Sequence, residues 1–88
     1  MTERQVWKQV LHPGGWQEVE SLPLFFAAQG DELCVWFEHA QFFDRQQVPV
    51  LVRVYGTGHP IQYMATHLFS CTQGPYVWHL YTINKEML

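Results

Sequence analysis

Glycine and proline interrupt this chain at short intervals: His12-Pro13-Gly14-Gly15, Pro23, Gly30-Asp31, Pro49, Gly56-Thr57-Gly58-His59-Pro60 and Gly74-Pro75. Such punctuation leaves little room for long helices, because proline removes a backbone donor and glycine loses the most freedom on ordering. The runs between the stops are rich in Val, Trp, Phe, Tyr and Leu. These residues suit a pleated, half-buried surface, so the pattern predicts six to seven short antiparallel strands. The expected fold class is all-β, a small sandwich or a partly open barrel, with no helical period to set against it.

Strands are predicted over residues 4–11 (RQVWKQVL), 16–20 (WQEVE), within LPLFFAAQ (22–29), 32–38 (ELCVWFE), 48–55 (VPVLVRVY), 63–72 (YMATHLFSCT) and 76–83 (YVWHLYTI). Gly30-Asp31 and Gln73-Gly74-Pro75 read as hairpin turns, glycine supplying positive φ. In 32–38, Leu33, Val35 and Phe37 alternate with Cys34, Trp36 and Glu38, so both faces are apolar enough for a central strand. Pro49 demands an edge or a strand-entry position. Residues 39–47 (HAQFFDRQQ) are the least strand-like, a loop or a short helix that would make the fold α+β. Residues 84–88 read as a tail expected to fray.

Eighty-eight residues fit one domain, 1–88, with its core within 4–83. Its composition is 48% hydrophobic, 16% aromatic and only 15% charged, the reverse of a disordered chain. So apolar a chain cannot hide every ring, and part of the excess is expected to form an interface. The net charge is -3, and the basic residues Arg4, Lys8, Arg45, Arg53 and Lys85 are scattered. No basic stripe faces a phosphate backbone, so nucleic acid is not expected as a partner. The N-terminus lacks the apolar core of a signal peptide and no run is long enough to span a bilayer, so cytoplasmic residence is the expectation. Cys34 and Cys71 read as reduced, buried thiols, with a disulfide left open.

The most distinctive string is Gly56-Thr57-Gly58-His59-Pro60-Ile61. Two glycines around a threonine can aim backbone N–H groups at an anion, although the spacing matches neither dinucleotide nor phosphate-loop patterns. It reads either as a tight turn or as a contact for a ligand or partner. In the second case Arg53, Tyr55, Gly56, Thr57, Gly58 and His59 would hold a nucleotide-like anion, with Trp78 stacking its base. Five histidines invite a metal reading, but no ligand motif is present. His67 and Cys71, four apart on a strand, would share a face yet stand too far apart for one ion. No nucleophile elbow or oriented triad is visible, and Glu18 and Glu20 resemble a solvated edge. Neither enzymatic activity, nor a cofactor, nor a metal is expected. Each of Trp7, Trp16, Trp36 and Trp78 reads first as core, but a core this small cannot take them all. At least one of them, or the Phe42-Phe43 pair, is expected in an interface.

Taken together, LCVWFE (33–38), VYGTGHPI (54–61) and QGPYVWHLY (73–81) resemble a family of small proteins encoded by tailed bacteriophages and prophages. The resemblance runs over residues 4–81, with 39–47 as the variable insert. It brings no activity and no catalytic residue. It implies a phage accessory protein in the bacterial cytoplasm, of a kind that binds and blocks a host protein, including an anti-phage defence component. The function expected is therefore non-enzymatic binding by a homo-oligomer. Sequestration of a nucleotide-like signal and a virion or assembly role are the alternatives.

Overall fold

The computed structural model describes residues 4–40 and 48–88. Seven strands follow in order: β1 (Arg4–Leu11), β2 (Gln17–Val19), β3 (Pro23–Gln29), β4 (Glu32–Ala40), β5 (Val50–Gly56), β6 (Thr66–Gln73) and β7 (Tyr76–Ile83). They form two antiparallel sheets, three-stranded β1-β4-β3 and four-stranded β2-β5-β7-β6. The sheets do not close into a barrel, so of the two expected architectures the sandwich is the one adopted. The helical alternative for 39–47 fails at its start, because His39 and Ala40 extend β4. Residues 41–47, which include the predicted anchors Phe42 and Phe43, lie outside the described residues. Among the described residues the only helical piece is a 3-10 turn, Lys85–Met87, whose start is capped by the Asn84 side chain. No helix among them is long and apolar enough to cross a membrane.

Both predicted hairpins form across two-residue loops, pairing Gln29 with Glu32 and Gln73 with Tyr76. In each, glycine occupies the first loop position at positive φ, 58° for Gly30 and 55° for Gly74, while the second residue does not. That is the type II′ arrangement, whose twist matches the flanking strands, and it lets proline stand second at Pro75. Strand β4 is central in its sheet, and Pro49 sits just before β5 at strand entry.

Alternation assigns the core. Leu33, Val35 and Phe37 of β4 face inward with Leu11 and Phe26, against Val19, Val52, Val54 and Leu80 of the other sheet. Fully burying a leucine or valine contributes about 1.5–3 kcal/mol, which is how so small a sandwich holds together.

Two bulges break the alternation. One, between Pro23 and Phe25, throws Leu24 and Phe25 outward together, 50% and 56% exposed, while Pro23 stays buried. The other, between His67 and Phe69, lets both Leu68 and Phe69 pack on the core and reverses the phase of β6. His67 pairs with Tyr81 and Cys71 with Trp78, so these two residues face opposite sides of the sheet. The expectation that they share a face is corrected by that bulge, since an extra residue reverses which side follows.

Both cysteines are free. Burial pushes the Cys71 thiol above its ordinary 9.0, and a smaller opposing effect comes from a backbone hydrogen bond from Ala28. The fold therefore favours the neutral thiol. Its contribution is fully present below pH 9.0 and is lost as pH climbs from there through the raised folded value. The Tm of Cys71→Ala should fall less steeply than that of the native chain in this alkaline window. Parallel curves would show that the thiol does not carry the effect.

Candidate functional site

The strand β5 ends in Gly56, and Gly56–His59 forms a tight turn closed by the His59 N–H donating to the Gly56 carbonyl at 3.2 Å. Gly58, third in the turn, has φ 90°, a conformation that glycine adopts without steric cost and that marks a type II turn. The turn lays the His59 ring beside Gly56, where Trp78, the cross-strand partner of Gly56 on β7, also brings its ring. A cleft of about 960 Å³ opens here. Of the seven residues the sequence grouped as a binding set, Arg53, Tyr55, Gly56, Thr57, His59 and Trp78 line it; Gly58 does not, and serves the turn. Pro13, Gly14, Pro60, Pro75, Tyr76 and Val77 complete it. Sequence reasoning missed most of these because three separate turns meet at one end of the sandwich only once the strands have paired.

Arg53 and Tyr55 lie on the outer face of the four-stranded sheet. The guanidinium sits 4.9 Å from the centre of the Tyr55 ring, within cation–π range. Arg53 Nε is buried without a hydrogen-bond partner among the described residues. The other described cations are engaged: Arg4 with Glu38 at 3.1 Å, Lys85 with Glu18 at 2.8 Å, and Lys8 with the Gln29 side chain at 2.8 Å.

Tyr55 is buried despite facing outward, because the chain after β5 returns to it at Gln62 and the rings of Trp16 and Tyr81 flank it. The Gln62 N–H donates to Tyr55 Oη at 3.3 Å, and Trp16 Nε1–H donates to Gln62 Oε1 at 3.1 Å. The rings of Trp16 and Tyr81 meet Tyr55 edge-on at 6.4 and 5.5 Å.

Beside the cleft runs a chain of polar side chains that the sequence did not reveal. Ser70 and His79 are direct cross-strand partners. Ser70 Oγ lies 2.8 Å from both His67 Nε2 and His79 Nδ1, and His79 Nε2 lies 2.9 Å from Thr57 Oγ1. Thr57 Oγ1 also donates to the Val77 carbonyl at 3.3 Å. That carbonyl can only accept, so for neutral rings the whole chain runs one way. His67 Nε2–H donates to Ser70, Ser70 to His79 Nδ1, His79 Nε2–H to Thr57, and Thr57 to Val77. The network fixes Thr57 at the cleft wall. Among the described residues, no three metal-ligating side chains converge.

The outer face of the three-stranded sheet is a second surface of interest. Trp36, Val10, Ala27 and the outward Phe25 and Val6 share it, and Phe25 and Trp36 touch with ring centres 5.4 Å apart. Val6 and Phe25 are 60% and 56% exposed, and Leu24 on the bulge extends the patch. The Lys8–Gln29 hydrogen bond crosses the middle strand of this face, above the buried Cys34. None of the four tryptophans belongs to the fully buried core. Trp7 is 44% exposed and stacks on His39 at 3.6 Å, Trp16 and Trp78 are half-buried at the cleft end, and Trp36 lies on the outer face.

A family model matches residues 2–87, nearly the whole chain, and is described as a domain of unknown function (DUF7352). No curated protein and no solved structure matches.

Proposed function

We propose, from the premise that the chain belongs to the DUF7352 family of domains of unknown function, that it is a non-enzymatic accessory protein of tailed phages and works by binding. It acts in the bacterial cytoplasm as a homo-oligomer, and its target is a host protein of anti-phage defence. The observation that supports binding is the outer face of the three-stranded sheet. An antiparallel sheet commonly leaves one face to water, and that face is then polar. Here Val6, Val10, Leu24, Phe25, Ala27 and Trp36 occupy it, with Arg4, Lys8, Glu32 and Glu38 as its charged members. A contiguous apolar patch of this kind marks a protein–protein surface. The Phe25–Trp36 pair supplies the aromatic anchor such surfaces favour.

Light scattering on a sizing column is expected to give a multiple of the 10.4 kDa chain mass. Phe25→Lys should return a folded monomer, because a desolvated charge at the anchor opposes association. Expression of the native chain should raise the plaquing efficiency of a phage that the host otherwise restricts, and Phe25→Lys should not. A strict monomer at high micromolar concentration overturns the oligomer. Unchanged plaquing across hosts carrying different defence systems overturns the anti-defence role.

A further inference from the structure

We infer that the cleft at the end of the four-stranded sheet binds a nucleotide carrying a single phosphate group, with the phosphate on Arg53 and the base against Trp78. The surface proposed for self-association is on the other sheet, so either reading can fail without the other.

Three observations converge. The first is charge. The chain is acidic overall at -3, yet among the described residues none that lines the cleft is acidic. Arg53 stands there with no acceptor of its own among the described residues and with its Nε buried and unpartnered. A guanidinium presents donors in a planar fork that fits phosphate oxygens. It is held above the Tyr55 ring, which is itself fixed by Gln62 and Tyr81, so its position is set before any ligand arrives.

The second is the aromatic wall. Trp78 is locked by its Nε1–H donating to Gln73 Oε1 at 3.0 Å, and Tyr76 leans toward it with ring centres 6.0 Å apart and planes 33° apart. Tyr76 is exposed, and although this pair alternates to the core side of the sheet while Arg53 projects from the outer face, both line the one cleft at the end of β5, so a ligand that passes round that end can lay its base on the pair. The third is size. A volume of about 960 Å³ exceeds what an inorganic anion fills and suits a ligand with a ring and a charged group. Among the described residues, Arg53 and His59 are the only basic side chains that line the cleft, which matches one phosphate and leaves the outer charges of a triphosphate unpaired.

Titration calorimetry with AMP, ATP, adenosine and inorganic phosphate tests this on the full chain. AMP is expected to bind, ATP no tighter than AMP, and adenosine and phosphate each at least about tenfold more weakly, since each lacks one half of the match. Arg53→Gln should weaken AMP about tenfold or more. Because Arg53 also packs on Tyr55, a second variant separates binding from folding. A methyl on Gly56 would meet Trp78 at 3.5 Å and His59 at 3.7 Å, ordinary contact distances, at a residue without positive φ. Gly56→Ala should therefore keep the native Tm while filling the space between the two rings and weakening AMP. Absence of heat with AMP at millimolar concentration overturns the inference. So does phosphate binding as tightly as AMP, adenosine binding as tightly as AMP, or AMP affinity unchanged in both variants.

Discussion

Leu80→Ala is expected to lower the free energy of unfolding by about 3–4 kcal/mol, within the range for leucine deletions that leave an uncollapsed cavity. Leu80 has 0% exposure and lies on β7, flanked on β5 by Val54 and on β6 by Phe69. Strands on both sides are hydrogen-bonded to it, so the walls cannot close around the missing atoms. Across the sandwich the core of β4 faces the same space. A domain of this length has roughly 5–10 kcal/mol in total, so the variant should unfold at a much lower urea concentration with an unchanged slope. Leu24→Ala, on the exposed bulge, should shift the midpoint little. Equal effects for the two substitutions would show that the assigned inside and outside are wrong.

The second large effect is expected at Tyr55. Tyr55→Ala should cost about 3–4 kcal/mol, comparable to other buried aromatic deletions. Tyr55→Phe should cost about 1 kcal/mol, the loss of one hydrogen bond at the phenolic oxygen. The contrast follows from what the ring does. It is only 4% exposed on a face that would otherwise be open, with the returning chain bonded to it at Gln62. The hydroxyl merely accepts from the Gln62 N–H, whereas the ring meets Trp16, Tyr81 and Arg53. Losing the ring should also release Trp16, seen as a red shift of its fluorescence before global unfolding. If Tyr55→Phe cost as much as Tyr55→Ala, the hydroxyl rather than the ring would anchor the segment.

Strand existence was legible because the punctuation is local chemistry. Gly30 and Gly74 announce turns that need positive φ, and β1 and β7 have the boundaries the alternation predicts. The partition into two sheets was not legible. Which strand pairs with which depends on long-range packing, and nothing local says that β5 should pair with β7 rather than β6. The bulges at Leu24 and Leu68 were invisible for a related reason. Each is a one-residue slip that only a partner strand defines, and each moves every following side chain to the other face. The cleft was partly legible: six of the seven proposed residues meet there, since β5 and its turn are continuous and Trp78 is one register step away. The His67–Ser70–His79–Thr57 chain was hidden, because those residues are neighbours only after β6 has shifted and paired with β7.

The two tight hairpins also bear on how the chain reaches this state. Strands β3–β4 and β6–β7 are joined by two residues each, so their closure costs little entropy and takes microseconds. One hairpin seeds each sheet. The pairings β1–β4 and β2–β5 join strands far apart along the chain and must be searched for afterwards. Refolding should therefore be limited by these late dockings, on the millisecond-to-second scale of β-rich topologies. Until β1 docks, the hydrogen-bonding edge of β4 stays unguarded, the interval in which strand-to-strand aggregation between nascent chains would compete.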